Sequence, residues 1–270
     1  MSDIMQVDQL TFIHNKKKRW LKRPEIFQLG PIDLTVKRGE TIAIIGENRA
    51  GKSLLAKLLV GGLPPDSGDI VLNSHKYAAK YTRKDKDAKQ KRTHDIRMIL
   101  QHSSESMNPA VPVGKVLDEP LRLNTSLSEA ERKPLIEETL TKVGLLREHY
   151  YFYRHMLSDG QQQRVALARA IMLQPKVLVA DEPFAALDPT IRSQTVNLIL
   201  KLQQEMGLAF IFISHNLGIV RHIADRIIVM ENGEIIEEGK TETIFRWPQH
   251  VTTKKLVTAY QSLVPQHTIR

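Results

Sequence analysis

The stretch TIAIIGENRAGKSLLAKLLVGG, residues 41–62, constrains the fold of this chain more than any other. An apolar run, Thr41–Ile45, precedes the loop GENRAGKS, and an amphipathic pattern of helical period follows it. The loop fits the pattern G-x-x-x-x-G-K-[ST], in which backbone N–H groups bind phosphate between a strand and a helix. The order strand, loop and helix therefore predicts a phosphate-binding loop (P-loop) in an α/β fold with a parallel sheet.

Other apolar segments predict the rest of the sheet structure. KVLVADEP and GLAFIFISH are apolar runs flanked by helical patterns, and they favour two more parallel strands. The hairpin signal Asn-Gly lies within Met230–Ile235. Short alternating segments near both ends predict an antiparallel layer beside the parallel core: MQVDQLTFIH, PIDLTVKRG, GDIVLNSH, ADRIIVMENG and EIIEEGK.

A helical subdomain is expected inside this α/β core. Residues from about Val111 to Met156 carry helical periodicity, with a polar start in TSLSEAERKPL. The segment is interpreted as a helical subdomain inserted at about residues 111–156. No internal repeat is found in the sequence.

The composition narrows the possible partners. The chain has 270 residues, no Cys and a formal net charge of +9, which excludes disulfides and thiolate metal sites and favours an anionic partner. The basic runs Lys16–Arg23 and Lys76–Arg92 are most simply solvated hairpins, with an acidic membrane surface as the functional alternative. Nucleic acid is the third alternative, because no recognition-helix pattern is present and few aromatic residues interleave with the charges. No membrane span or signal peptide is predicted, so we expect a cytoplasmic protein with at most peripheral membrane contact.

Polar residues that follow three predicted core strands are candidates for chemistry on a nucleotide. Lys52 supplies charge for the β- and γ-phosphates, and Ser53 supplies a hydroxyl for Mg²⁺. Asp181 ends a strand where a carboxylate orders Mg²⁺, and Glu182 can orient an attacking water. The alternative of a simple polar turn at 181–183 is weak after an apolar strand. His215 is a candidate γ-phosphate sensor, although a histidine at a strand end is more often structural.

The run MLSDGQQQRVALARAIML predicts a capped helix. Ser158 and Gln161 form the capping box S-x-x-Q, and an apolar stripe follows at helical spacing. The N–H groups at the start of this helix could meet an anion. The alternative is an ordinary capped helix with no ligand.

Taken together, these motifs resemble the ATP-binding subunit of an ABC transporter over nearly the whole chain. The resemblance implies a P-loop ABC ATPase fold, with ATP and Mg²⁺ bound. It implies that Gln101 is the Q-loop glutamine, a ligand of Mg²⁺ that couples the attacking water to the membrane partner. It also makes Leu157–Gln161 the signature motif and Ala186–Asp188 the D-loop, while His14, or else Phe12, stacks on adenine.

A finer resemblance points to dipeptide and oligopeptide importers, on the runs QHSSESMNP and FRWPQHVTTKKLVTAYQSLVP. The segments EPLRLNTSLSEAERKPLIEETLTKVGLL and YYFYRHML resemble the Sap-type subunit, linked to antimicrobial-peptide resistance in Gram-negative bacteria. This implies an ATP-binding domain over residues 1–247 and a C-terminal extension over 248–270. It also implies transmembrane permease partners and a head-to-tail dimer with a paralogous subunit or a second copy, at the cytoplasmic face of the inner membrane.

Two positions depart from the pattern of the family. Arg49 stands where glycine is common, and a left-handed backbone there would cost about 1–2 kcal/mol. Asp159 replaces a common glycine in the signature, where each charge pair with phosphate at ~6 Å would cost about 3 kcal/mol at a dielectric of ~20. The changes at Asn48 and Leu54 are milder. The two ATP sites of the transporter dimer are therefore expected to hydrolyse ATP at unequal rates. The slower site is expected to be the one in which Asp159 faces the phosphate.

The function predicted from the sequence is ATP hydrolysis that powers a peptide transporter. A regulatory ATP-binding subunit with weak hydrolysis is the first alternative, and an ABC ATPase acting on nucleic acid or ribosomes is the second. The predicted nucleotide-binding residues are Gly46, Glu47, Asn48, Arg49, Ala50, Gly51, Lys52, Ser53, Leu54, His14, Ser158, Gly160 and Gln161. The predicted catalytic residues are Glu182, His215 and Gln101, and the predicted Mg²⁺ ligands are Ser53, Gln101 and Asp181.

Overall fold

A computed structural model describes residues 2–15, 26–73, 75–77, 92, 94–99, 107–185 and 187–263. The basic run Lys16–Arg23 and most of Lys76–Arg92 lie outside these residues. Within the described part of the chain no helix is long and apolar enough to cross a membrane.

The chain divides into two compact units, one formed by residues 1–85 and 211–270 and the other by residues 86–210. The strands are β1 (Asp3–Asn15), β2 (Ile26–Lys37), β3 (Thr41–Gly46), β4 (Ser67–Leu72), β5 (His75–Tyr77), β6 (Ile96–Ile99), β7 (Val177–Asp181), β8 (Ala209–Ile213), β9 (Arg226–Glu231) and β10 (Glu234–Lys240). The α-helices are α1 (Lys52–Leu59), α2 (Val113–Asn124), α3 (Glu129–Lys142), α4 (Asp159–Ile171), α5 (Pro189–Met206), α6 (Leu217–Ile223), α7 (Thr241–Arg246) and α8 (Val251–Leu263).

An antiparallel sheet in the first unit has the strand order β2-β1-β4-β5. Gln9 in β1 has a φ of 49°, and the pairing register shifts there, which identifies a β-bulge. A Cβ on Gly68 of β4 would lie 2.4 Å from the carbonyl oxygen of Gln9, so only glycine fits opposite the bulge. After the bulge, Leu10, Phe12 and His14 point to one face because their spacing is two residues.

The P-loop strand β3 belongs to a different sheet, in which it pairs in parallel with β9. β9 and β10 form the hairpin that the Asn-Gly pair predicted, with φ values of 50° at Asn232 and 89° at Gly233. The antiparallel layer expected from the sequence was therefore wrong in one respect. β9 and β10 join the sheet of the P-loop strand, because the fully buried run Ile227–Met230 needs cover on both faces.

The second unit contains a parallel pair and four of the eight α-helices named above. β6 pairs in parallel with β7 from Ile96 opposite Val177 to Ile99 opposite Ala180. Helices α2 and α3 pack together, and the Arg132 Nε donates to the Asp118 carboxylate at 2.6 Å between them. Two short 3₁₀ turns, Arg147–Tyr151 and Arg154–Met156, lead from α3 toward α4.

The carboxylate of Glu237 in β10 anchors the C-terminal segment of the first unit. It accepts hydrogen bonds from the backbone N–H groups of Gln249 and His250, at 2.8 and 2.9 Å. Partial burial alone would raise the pKa of Glu237, but the polar surroundings, which include the nearby Thr253, these two N–H groups and His250, outweigh it and lower the pKa. The hairpin therefore holds the start of α8.

Candidate functional site

The P-loop is a strand-to-helix connection with three positive-φ residues. β3 is buried along its whole length and delivers the chain to Gly46, which has a φ of 145°. Arg49 and Gly51 follow with φ values of 68° and 100°. This left-handed backbone turns the chain sharply before α1 begins at Lys52.

Both glycines of the motif have positive φ values, and Gly46 also lies directly against the backbone of β9. A Cβ on Gly46 would lie 2.1 Å from the carbonyl oxygen of Met230 in β9. A Cβ on Gly51 would lie 3.1 Å from Leu29 Cδ1 and 3.2 Å from Phe27 Cζ, both in β2. The loop is thus packed against β9 of its own sheet and against β2 of the antiparallel sheet, and a side chain at Gly46 would displace it.

Lys52 is buried, with 6% of its surface exposed, although it carries a charge. Its Nζ donates to the carbonyl oxygens of Gly46 and Glu47, each at 2.8 Å. These bonds hold the ammonium group against the concave loop. A positive charge placed in this way suits a phosphate group, since burial of the cation alone would be costly.

The first turn of α1 presents N–H groups without a competing acidic side chain. Gly51 is the N-cap and has no side chain to cap the turn, and no Asp or Glu lies in it. Ser53 is exposed in this turn, and Leu54 beside it is half-buried. The arrangement favours an anion at the N-terminus of α1, with the Ser53 hydroxyl at its edge.

Arg49 has a left-handed backbone, the conformation whose cost was considered for a non-glycine residue at this position. Its side chain is exposed, as are those of Glu47 and Asn48, whereas Ala50 is buried. The Ala50 carbonyl accepts from the Gly233 N–H at 3.0 Å, which ties the loop to the hairpin turn. The loop geometry is therefore kept despite the bulky residue.

The face of β1 that carries His14 is directed toward the P-loop. His14 pairs with Phe27 across the antiparallel ladder, and Phe27 contacts the position of a Gly51 Cβ. The Phe12 and His14 rings are stacked, with centroids 6.4 Å apart and planes at 24°. His14 is the more exposed of the two, so it is the more accessible platform for a flat base.

The candidate carboxylates lie at the end of β7 in the second unit. Asp181 is the last residue of this strand and is half-buried, as is Glu182. Glu182 has a φ of 48°, so the chain turns sharply directly after the strand. The carbonyl oxygen of Pro183 accepts from Gln163 Nε2 of α4 at 3.5 Å, which links this turn to the helix of the signature motif.

The capping box at the start of α4 is confirmed. Ser158 Oγ accepts from the Gln161 N–H at 3.3 Å, and Gln161 Oε1 accepts from the Ser158 N–H at 2.9 Å. Asp159 is exposed in the first turn. A Cβ on Gly160 would lie 2.9 Å from Ile191 Cδ1, so α5 packs closely against this turn and the Ile191 side chain would have to shift to admit one.

The other predicted residues have mixed outcomes. His215 is exposed, but β8 ends two residues earlier, at Ile213, because the chain turns to begin α6 with Asn216 as its N-cap. Asp188 caps α5 as expected, accepting from the N–H groups of Thr190 and Ile191. Gln101 and Ala186 lie outside the described residues.

His149, which contacts the signature motif, was not predicted from the sequence. Its Nε2 lies 3.2 Å from Gln161 Nε2, across 12 residues and two 3₁₀ turns. No periodic pattern connects these positions, so only the folded chain could reveal the pair.

The comparisons with known proteins agree with this geometry. The sequence pattern of the ABC transporter family matches residues 29–185. The chain is 40% identical over 258 residues to the "Putrescine export system ATP-binding protein SapF" of Escherichia coli K12, covering 95% of this chain and 93% of that protein. The same identity and coverage hold for the "Peptide transport system ATP-binding protein SapF" of Escherichia coli O6:H1. The "Dipeptide transport ATP-binding protein DppF" of Haemophilus influenzae is 42% identical, with 93% of this chain and 75% of that protein covered.

Among solved structures, the dimeric ATP-binding cassette MJ0796 in a post-hydrolysis state, bound to ADP and Pi, matches with a TM-score of 0.74 and 26% identity. The match covers 88% of this chain and 99% of that cassette. The chain therefore belongs to the ABC transporter family, with the P-loop ABC ATPase fold and the ATP-binding, ATP-hydrolysing role of its cassette subunits.

Proposed function

We propose that this chain is the ATPase subunit that powers an ABC transporter for peptides, and that its cargo includes antimicrobial peptides. The observation that carries the proposal is the similarity along almost the whole chain to subunits named for peptide and dipeptide transport. The similarity extends past the P-loop region into the C-terminal segment, where such subunits would differ from cassettes of other transporters.

The P-loop would hold the phosphates of ATP. The Lys52 ammonium, held by the carbonyl oxygens of Gly46 and Glu47, and backbone N–H groups within residues 46–54 would bind the phosphate oxygens. His14 would stack on the adenine, since its face of β1 is the one packed toward Gly51. These residues bind and orient the nucleotide.

The oxygen atoms of Ser53 and Asp181 are suitable ligands for Mg²⁺. The Ser53 hydroxyl is exposed at the start of α1, Asp181 is a half-buried carboxylate, and both are oxygen ligands of the kind that Mg²⁺ prefers. Gln101 would be a third ligand by its place in the sequence. When bound, Mg²⁺ neutralises charge on the phosphates.

Hydrolysis would use the residues beyond the strand ends. Glu182 would orient the attacking water and accept its proton, and His215 would donate a hydrogen bond to the γ-phosphate. Gln101 would transmit the state of the site to the membrane partner. None of these roles requires nucleic acid.

Partners are proposed from the same similarity. Transmembrane permease subunits would contain the transport pathway, and a paralogous ATP-binding subunit, or a second copy of this chain, would stack head to tail. The dimeric state of MJ0796 supports this arrangement. The N-terminus of α4, with Ser158, Gly160 and Gln161, would then meet the γ-phosphate bound to the partner. The chain would lie at the cytoplasmic face of the inner membrane as a peripheral subunit.

The experiment tests the cargo, because one Escherichia coli SapF relative is named for putrescine export and another for peptide transport. The chain is assembled with its permease subunits in liposomes, and ATPase activity is measured with a cationic peptide, with putrescine and with neither. We expect stimulation by the peptide alone. Stimulation by putrescine alone would contradict the proposed cargo and leave the ATPase role intact.

A regulatory subunit with weak hydrolysis is a second candidate, because Asp159 is exposed in the turn that would face the γ-phosphate. It predicts nucleotide binding without turnover even in the complete transporter. Turnover at both sites of the complex would exclude it.

A further inference from the structure

We propose that His149 is a positioning residue that fixes the signature helix of the ATP site. The inference rests on the proposed role of Ser158, Gly160 and Gln161 toward a partner's nucleotide. His149 itself touches none of the reacting groups. It acts through the side chain of Gln161.

The first step is the orientation of the Gln161 amide. Its Oε1 accepts from the Ser158 N–H at 2.9 Å, so its Nε2 is the end that faces His149, at 3.2 Å. An amide nitrogen donates and does not accept. The His149 Nε2 must therefore be the acceptor, which requires a neutral ring with its proton on Nδ1.

The second step is the other side of the ring. His149 Nδ1 lies 3.1 Å from the carbonyl oxygen of Leu146, which accepts the Nδ1 proton. The Leu146 N–H lies 3.0 Å from the same nitrogen and would be its donor in the other tautomer, which the Gln161 contact disfavours. The turn offers Nδ1 both a donor and an acceptor and so accommodates either tautomer, and the contact with Gln161 selects the one protonated on Nδ1.

The third step is that His149 is held rigidly. It is 6% exposed, and its ring packs on Phe152 with centroids 4.7 Å apart. The nearby Arg164 directs its Nη1 to the carbonyl oxygens of Val143 and Gly144, at 3.2 and 3.1 Å, so this cation is occupied elsewhere. A buried acceptor with a fixed ring can orient a flexible amide.

The consequence is that the first 3₁₀ turn, through His149 and Gln161, stabilises the cap of α4. If Gln161 flipped its amide, Nε2 would face the Ser158 N–H, donor against donor, and the capping box would open. The acceptor on His149 favours the correct orientation. The N–H groups in the first turn of α4 would then be oriented for a phosphate before one binds. This preorganisation lowers the free energy needed to close the dimer.

A matched pair of variants tests this. In His149→Gln the terminal amide oxygen reaches the place of Nε2, whereas in His149→Asn the shorter side chain ends near the place of Nδ1. Hydrogen exchange of the backbone N–H groups of residues 158–162 is measured on the full chain. We expect exchange about two- to tenfold faster in His149→Asn, the effect of one net hydrogen bond, and near wild type in His149→Gln. Equal behaviour of the two variants, or unchanged exchange in His149→Asn, would overturn the proposal.

A second measurement distinguishes an effect on Gln161 from a general loss of structure. In a Gln161→Met background the contact between His149 and Gln161 is already lost, so adding His149→Asn should change exchange by less than about twofold. A full additional effect would show that His149 acts on the fold rather than on Gln161.

The ATPase activity of the assembled transporter tests the proposed function separately from the role of His149. In the assembled transporter, His149→Asn should lower kcat several-fold while the nucleotide Kd of the isolated chain, set by its own P-loop, stays unchanged. If the wild-type complex shows no ATPase activity, the proposed function fails, and the exchange result still decides the role of His149.

Discussion

At the scale of single residues, Arg49 and Gly46 show how differently two positions of one loop tolerate a side chain. Arg49 is left-handed but exposed, so its strain is local and about 1–2 kcal/mol. The left-handed backbone could be anticipated from its place in the P-loop. The contact between His149 and Gln161 could not, because it depends on how two irregular turns fold back on the signature motif.

We predict that Gly46→Ala lowers the thermal midpoint by several degrees and weakens nucleotide binding. The added Cβ would lie 2.1 Å from a backbone oxygen, and the strand or the loop must move. Differential scanning calorimetry and a nucleotide titration check this. The matched control is Arg49→Gly, which relieves left-handed strain and should not lower the midpoint. A midpoint unchanged in Gly46→Ala would show that the close approach has no consequence.

At the scale of elements, local sequence signals predicted where α4 and α5 begin and where the β9–β10 hairpin turns. Which strands pair with one another depends on tertiary packing and could not be predicted in the same way. Asn232-Gly233 predicted the turn of the β9–β10 hairpin, but no local pattern indicates that β9 pairs with β3. Such long-range pairing depends on which buried faces remain uncovered after the other strands have paired.

Asp188 provides a prediction for α5. Asp188→Ala should lower the free energy of unfolding by about 1 kcal/mol, because the N–H groups of Thr190 and Ile191 lose their acceptor. Urea denaturation measures it. Asp188→Asn keeps an acceptor and should stay within a few tenths of a kcal/mol of wild type. Equal losses in both variants would assign the effect to charge instead of capping.

Glu237 provides a pH-dependent prediction for the C-terminal segment. Because the pKa of Glu237 is lowered in the folded chain, its stabilising effect is present above the ordinary glutamate pKa of 4.5 and is lost as pH falls through the lower folded value. Glu237→Gln should therefore lower the thermal midpoint at pH 7 by about 2–4 °C, and the difference from wild type should shrink below about pH 4. A difference that does not change with pH would contradict this.

At the scale of the whole molecule, the family and the fold could be recognised from the order of the motifs. The cargo could not, because its contacts belong to other subunits. Whether the two ATP sites are equal depends on charges that meet only in the dimer, where Asp159 would face a bound phosphate.

We predict that Asp159→Gly raises the ATPase rate of the assembled transporter several-fold by removing a like charge near the γ-phosphate. Steady-state phosphate release at saturating ATP measures it. Asp159→Asn, which removes the charge and keeps the size, should raise the rate as well. A rate that is unchanged or lower in both variants would mean that Asp159 turns away from the phosphate.

The most direct test of the proposed catalytic roles is Mg²⁺-ATP hydrolysis by the complete transporter beside the same complex with Glu182→Gln, with nucleotide binding measured on both. We expect Glu182→Gln to keep nucleotide affinity and to lose about 100-fold or more of the hydrolysis rate, because the carboxylate that orients the water is gone. Hydrolysis near the wild-type rate in Glu182→Gln would contradict the role assigned to this residue.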